Sequence, residues 1–274
     1  MITSKPVKII SYACLTLYSL FNLFPLLWMF STAFKTRAQS FSLPPKWIPD
    51  PIIIDNFIRI FTVLPFANYL RNTAFITITV LFFRLLIGVF ASYSFARLKF
   101  PGRDFLFLVL LSSLMIPQAV TIVPQYLIVQ YLGWINTYQG VIVPQIFMNV
   151  FGIFLLRQYF LSLPGDFEEA AKIDGAGVVR TFFFIMLPQV KPAIFTVAVL
   201  SFMNAWNNFL WPLIIISSNE RMTLSVGLAL LLGQYVGDWA GIMAAAVVAL
   251  FPVLMFYIFA QRYFIQSIYL SGFK

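Results

Sequence analysis

The stretch Leu163–Pro192, LPGDFEEAAKIDGAGVVRTFFFIMLPQVKP, is polar where its surroundings are apolar. Asp166, Glu168, Glu169, Lys172 and Asp174 crowd its first half, while the flanking segments carry almost no charge. A polar island between two apolar runs reads as a loop outside a bilayer. Residue order predicts structure within it. Pro164 and Gly165 break the preceding helix. Asp166, three residues before Glu169, has the D-x-x-E form of a capping-box start with Asp166 as the cap. Glu169 to Ile173 favours helix. Asp174-Gly175-Ala176-Gly177 stops it, with Gly175 suited to the left-handed position after a helix end. A second, apolar helix follows from Val178 and is interrupted at Pro188.

Outward from this loop the chain reads as membrane-embedded. Of its 274 residues 61% are hydrophobic and 10% charged, and mean hydropathy is +0.90. That composition excludes a soluble domain. The apolar runs are long and continuous rather than alternating, which argues for helices and against a β-barrel. The expectation is an all-α polytopic protein of about six spans: residues 9–33 (bent near Pro25), 72–95, 105–126 (with Pro117 and Pro124), 139–159, 193–216 and 240–263. It is one transmembrane domain over 1–274. An N-terminal span and outer loop occupy 1–70, and a core occupies 71–274 with the polar loop at 163–192. The first apolar run is too long for a signal-peptide core and no small-residue cleavage site follows it, so it is retained.

An even span count puts both termini on one side. Placing them in the cytoplasm puts Lys5, Lys8, Arg97, Lys99, Arg103, Arg157, Lys172, Arg180, Lys191, Arg262 and Lys274 inside. Lys35, Arg37, Lys46, Arg59, Arg71 and Arg221 fall outside. The bias favours this orientation, although the first outer loop is more basic than the positive-inside rule asks. The same orientation puts the polar loop in the cytoplasm. The net charge of +9 lies largely at span ends, so it sets topology rather than nucleic-acid binding. Cys14 is the single cysteine and there is no histidine. An internal disulfide is excluded, and the commonest metal ligand and general base are missing.

Glu169-Ala170-Ala171-x-x-Asp174-Gly175-Ala176, followed by Phe182, Ile185, Leu187-Pro188 and Pro192, resembles the EAA signature of ABC-importer permease subunits. Further stretches resemble the carbohydrate, maltose-type branch of that family: Asn72-Thr73, Tyr93-x-x-Ala96-Arg97, Phe100-Pro101-Gly102, Leu132-Gly133 with Asn136-Thr137-Tyr138, Phe154-Leu155-Leu156-Arg157-Gln158, Ala205-Trp206-Asn207-Asn208-Phe209, and Gln261-Arg262-Tyr263-Phe264 before the Gly272-Phe273-Lys274 end. The resemblance covers the chain from about Asn72 onward; before that only the pattern matches. It implies a type I importer fold in a bacterial or archaeal inner membrane. Implied partners are a second permease subunit (a different homologous chain), two ATPase subunits and an extracytoplasmic solute-binding protein. ATP and Mg would sit on the ATPases, with no cofactor on this chain. Glu169, Ala170, Ala171, Asp174, Gly175 and Ala176 would form the coupling helix. Glu169 would pair with a basic group of the ATPase, and the tail Tyr269–Lys274 would either touch the ATPases or fray.

The residues themselves agree with a chain powered from outside. No predicted span holds an Asp, Glu or His, and no nucleophile, metal or nucleotide pattern occurs. An enzyme is disfavoured, and so is a proton- or sodium-coupled carrier, which uses intramembrane carboxylates. The polar groups in the spans are amides and aromatics. Asn204, Asn207, Asn208 and Trp211 share one face of an unbroken helix, Gln118 and Gln125 another, and Gln145 and Asn149 a third. Such faces either bind a neutral polyhydroxylated solute or bond helix to helix. Arg84, in the middle of span two, either lines the path or packs against carbonyls and amides at a cost of about 3 kcal/mol on insertion scales. The solute expected is a sugar, oligosaccharide or polyol. A glycerol phosphate permease, an ATP-independent secondary carrier and a membrane scaffold are the alternatives.

Overall fold

The computed structural model describes residues 5–234 and 237–271, and every element among them is helical. In chain order these are α1 (Lys5–Ala33), α2 (Arg37–Ser40), α3 (Asp55–Val63), α4 (Phe66–Arg97), α5 (Arg103–Ser112), α6 (Gln118–Tyr131), α7 (Tyr138–Phe147) and α8 (Val150–Ser162). There follow α9 (Asp166–Ile173), α10 (Val178–Thr181), α11 (Leu187–Gln189), α12 (Lys191–Trp206), α13 (Leu210–Ile215), α14 (Leu224–Gln234) and α15 (Trp239–Ser271). Five segments are long and apolar enough to cross a membrane, and the bent pair Arg103–Met115 with Gln118–Tyr131 makes a sixth as one broken span. The expected all-α architecture is present, with five candidate spans, or six where the bent pair counts as one. The tail residues 272–274 lie outside the described residues.

The spans are less regular than their hydropathy suggests. The third turns by 104°. Its first half tightens into a 3-10 turn over Ser113–Met115, Ile116 is extended (φ −87°, ψ 115°), and Pro117 leads into α6. Proline disfavours helical backbone in the residue before it, which explains the position of the break. Pro124 and Pro144, by contrast, lie inside helices. The fourth span is interrupted between α7 and α8 at Met148 and Asn149, and the fifth between α12 and α13 at Asn207–Phe209. Unwound backbone at membrane depth persists only where it is buried in protein or lines a cavity.

The chain forms two compact units. In the unit made of residues 1–67 and 227–251, Asn56 Nδ2 donates to the carbonyls of Ala33 and Lys35, both at 2.9 Å. These bonds satisfy acceptors that the end of α1 leaves open. Lys35 is fully buried, with its ammonium 3.8 Å from the Trp28 ring centroid, and burial lowers its pKa. Arg59 Nη2 donates to both oxygens of Asp238 at 2.7 and 2.6 Å, and Arg37 Nη2 lies 3.2 Å from Oδ2. Much of the positive charge of the first long loop is thereby paired or sequestered.

The unit made of residues 68–226 and 252–274 holds two apolar clusters. One gathers Ile76, Val80, Val141, Trp211 and Ile215, the other Tyr93, Leu156, Phe160, Phe182, Met186 and Val190. Phe202 and Phe256 stack at 4.1 Å between centroids, a contact worth about 1 kcal/mol beyond area burial.

Candidate functional site

Two features of the second unit bear on function: the acidic loop helix α9, and a polar hollow among the broken spans.

α9 forms where the sequence places it, with a different start. Asp166 is the first helical residue, not the cap. Gly165 precedes it with helical backbone (φ −65°, ψ −26°), and no side chain caps the helix. The Gly165 carbonyl already accepts from the N–H groups of Glu168 and Glu169 at 2.9 and 3.2 Å, so Asp166 is drawn into the first turn. Asp166, Glu168 and Glu169 there face the positive end of the helix dipole. The C-terminus follows expectation. Gly175 has φ +76°, its N–H reaches the Lys172 carbonyl at 3.0 Å, and the Ala176 N–H reaches that of Ala171 at 2.8 Å. This is the Schellman pattern. Pro188 does not interrupt the next helix. The chain widens ahead of it into a π-turn over Phe182–Met186 and breaks at Val190, after α11. A proline ring crowds the carbonyl four residues back and offers it no N–H; the wider turn relieves that clash.

The two adjacent glutamates of α9 have opposite surroundings. Glu169 is exposed and its side chain makes no ion pair or hydrogen bond among the described residues, and Ala170, Asp174 and Gly175 are exposed with it. Ala171 is buried and Ala176 half-buried. Glu168 turns inward. Its Oε2 lies 3.3 Å from Arg97 Nη1, and its Oε1 accepts from the Tyr93 hydroxyl at 3.3 Å. Arg97 also donates to the Phe160 carbonyl from Nε at 3.0 Å and from Nη2 at 2.5 Å, and to the Leu163 carbonyl from Nη2 at 2.5 Å. One guanidinium at the end of α4 therefore holds the end of α8 and the start of α9. In the sequence Tyr93 and Arg97 stand out only as part of a family-like motif, and Glu168 only as one charge of the polar loop. The spacing of four residues, which puts Tyr93 and Arg97 on one helix face, was the available signal.

The hollow has a volume of about 400 Å³, and Arg84, Gln118, Asn204, Asn207, Asn208 and Trp211 all line it. Gln125 and Gln145 line it too. A second cavity of about 220 Å³ shares Arg84, Met148 and Asn204 with the first and adds Asn149. The polar residues proposed for a solute path thus converge, though not along an unbroken helix face. α12 ends at Trp206, and Asn207, Asn208 and Phe209 are unwound. Asn207 Nδ2 bonds back to the Met203 carbonyl at 3.0 Å. Trp211 is buried and its Nε1 donates to the Gly140 carbonyl at 3.0 Å, so it braces α13 against α7 as well as bordering the hollow.

Arg84 is only 5% exposed. Its Nε donates to the Gln145 carbonyl at 2.7 Å and its Nη1 to Asn204 Oδ1 at 3.1 Å. That Gln145 carbonyl lies in the last turn of α7, where the helix leaves acceptors open. Asn149 Nδ2 donates in return to the Arg84 carbonyl at 2.9 Å. Gly152 makes room for this, since a Cβ there would meet Asn149 Oδ1 at 2.3 Å. Arg84 thus packs against a carbonyl and an amide, and it also borders both cavities.

Comparison with known proteins points one way. Residues 2–268 match the family described as "Binding-protein-dependent transport system inner membrane component". The arabinooligosaccharides transport system permease protein AraQ of Halalkalibacterium halodurans is 37% identical, over 92% of this chain and 91% of that protein. The diacetylchitobiose uptake system permease protein NgcG of Streptomyces coelicolor is 34% identical, over 97% and 88%. The trehalose/maltose transport system permease protein MalG of Thermococcus litoralis is 30% identical, over 94% of each. In fold the chain is similar to the crystal structure of a bacterial ABC transporter involved in import of the acidic polysaccharide alginate, with a TM-score of 0.83 and 23% identity over 96% of this chain and 99% of that one.

Proposed function

Because the chain belongs to the family of binding-protein-dependent transport system inner membrane components, we propose that it is the permease subunit of an ABC importer for a sugar or oligosaccharide. The sugar class is supported by relatives named for arabinooligosaccharides, diacetylchitobiose and trehalose/maltose. The chain itself hydrolyses no ATP; ATP and Mg act on two partner ATPase subunits. A second, homologous permease chain and an extracytoplasmic solute-binding protein complete the machine, and both termini are cytoplasmic.

One observation carries the mechanism: a polar hollow and an acidic loop helix with an unpartnered outer face are joined by α4. Glu169, Ala170, Asp174 and Gly175 form that outer face, beside a hollow of about 310 Å³ lined by Ala171, Asp174, Ala176, Arg180, Phe184 and Ile185. An ATPase groove docks there, with a basic group on Glu169. Closure of the ATPases moves α9, the Arg97–Glu168 contact passes the motion to α4, and Arg84 and the unwound segments reshape the hollow. Asn204, Asn207, Asn208, Gln118 and Asn149 offer hydrogen bonds to sugar hydroxyls along that path.

Uptake into proteoliposomes holding this chain with its co-purifying subunits tests the proposal. Uptake should require ATP on the α9 side. Concentration of sugar without ATP would make the chain a secondary carrier. In a Cys14→Ala background, cysteines at Ser42 and Ser218 should react with an impermeant thiol reagent from outside the cell, and one at Gly177 only after permeabilisation. Outside labelling at Gly177 would overturn the orientation and with it the ATPase contact.

A further inference from the structure

Among the described residues Arg84 is the only charged one lining either cavity. Its two hydrogen bonds go to neutral acceptors, the Gln145 carbonyl and Asn204 Oδ1, and Nη2 has no hydrogen-bond partner among the described residues. The aspartates and glutamates of the chain all fall in loops or at the ends of spans. A positive charge therefore stands in the middle of a span beside an open hollow, with no acidic side chain paired to it among the described residues. Guanidinium groups in such surroundings are ordinarily paired, because desolvation is costly and Coulomb attraction is strong at low dielectric. The contacts through Nε and Nη1 fix the plane of the group and leave Nη2 to donate to an oxyanion. Gln145 adds a second signal. It is 3% exposed and lines the hollow, its Nε2 donates to the Val141 carbonyl, and its Oε1 has no partner. A buried amide oxygen without a donor is costly; this atom is covered, so a solute hydroxyl supplies its donor only once the hollow opens.

We infer that the solute carries both kinds of group: a sugar bearing an acidic substituent, with the acid on Arg84 and hydroxyls on Gln145 and the asparagines. One uncompensated cation matches one negative charge, so a carboxylate of uronic-acid type fits better than a phosphate monoester, which is close to doubly charged at neutral pH. This inference rests on the solute-path reading and replaces its neutral solute with a monoanionic one. Arg84 is then the residue that selects solute charge, and a cationic sugar is repelled.

The test is binding of digalacturonate and of its neutral counterpart galactobiose to the detergent-purified complex, read by saturation-transfer NMR. The acidic disaccharide should bind roughly tenfold more tightly to the wild type, and rising salt should shrink that advantage. Arg84→Gln should bring the two sugars within about twofold, while Arg84→Lys keeps most of the preference. Equal binding by the wild type, or a preference that survives Arg84→Gln, overturns the inference. Should Arg84→Gln fail to assemble, the wild-type pair and its salt dependence decide alone. Equal binding that Asn208→Leu weakens for both sugars sinks the charge inference and leaves the solute path standing. Binding of neither sugar sinks both.

Discussion

Arg84 and Arg97 sit on the same helix, α4, separated by roughly 20 Å of rise, and meet opposite company. Arg97 finds a carboxylate, Glu168, together with the backbone carbonyls of Phe160 and Leu163. Arg84 finds a carbonyl and an amide but no acid. The first arginine is neutralised within the chain, so its work is mechanical, tying the loop helix to a span. The second keeps its charge, and that charge is available to whatever enters the hollow. On the proposed function, a helix with a closed charge at one end and an open one in the middle is what would connect motion at the loop to a change at the solute.

Breaking the closed end should have the largest effect. Arg97→Ala leaves Glu168 largely buried without its cation and takes the donor from the Leu163 carbonyl, while the Phe160 carbonyl keeps the Leu163 N–H, at a cost on the order of 2 to 4 kcal/mol. The expected result is loss of ATP-driven uptake by about tenfold or more, with faster hydrogen exchange in α9. Arg97→Lys should recover only part of this, because one ammonium lacks the fork that reaches separated acceptors. Normal uptake and unchanged exchange in Arg97→Ala would show that α9 is held by other means.

The neighbouring carboxylates sharpen the same contrast. Glu168 is inward and paired, whereas Glu169 is exposed. Glu169→Lys should therefore alter the stability of the chain by no more than about 0.5 kcal/mol while weakening ATPase association or uncoupling hydrolysis from uptake. Gly175→Arg should behave alike. A Cβ at Gly175 meets nothing within 4 Å, so its intrinsic cost is the left-handed backbone alone, roughly 1 kcal/mol. Pull-down of the ATPase and thermal melting of the purified chain separate the two effects. If both variants transport at the wild-type rate, the outer face of α9 is not a docking surface.

At the open end the sensitive position is Gly152. Alanine there forces Asn149 away from the Arg84 carbonyl, because its Cβ would lie 2.3 Å from Asn149 Oδ1. We expect a loss of about 1 to 3 kcal/mol in stability and altered solute affinity, both smaller in consequence than losing Arg97. Melting and sugar titration of Gly152→Ala check this. A variant indistinguishable from wild type would mean that the α7–α8 break does not depend on this contact.

The contrast also marks where sequence reasoning runs out. The Gly175 turn was legible because its chemistry is local: a positive φ, a stop residue, a helix of set length. Span number was legible because hydropathy reports it. The break at Asn207–Phe209 was legible only as a bend at Pro212, whose ring crowds the Asn208 carbonyl one turn back. The break at Met148–Asn149 was not, since no proline or glycine lies at it; hydrogen bonds between Arg84 and the Gln145 carbonyl, and between Asn149 and the Arg84 carbonyl, stabilise it. Arg97 as a clamp was hidden for another reason. Most of its acceptors are backbone carbonyls, and every residue has one.

A third arginine site gives the smallest expected effect and completes the series. In the unit of residues 1–67 and 227–251, Arg37 and Arg59 both face one acid, Asp238. Burial alone would raise the Asp238 pKa. The hydrogen bond from Arg37, the Gly241 N–H and the charge of Arg59 outweigh burial and hold it below the usual carboxylate range. A depressed folded-state pKa stabilises the fold above the unfolded value of about 4, and that stabilisation is lost as pH falls through the folded value. Arg37 is 60% exposed and Arg59 35%, so solvent screening limits the contribution to about 1 kcal/mol or less. Thermal melting of the purified chain should show no change from this group between about pH 7 and pH 5, and a decline only below about pH 4. Asp238→Asn should lower the neutral-pH midpoint slightly and flatten that acid limb. An acid limb that is the same in Asp238→Asn would show that this ion pair does not set the acid dependence.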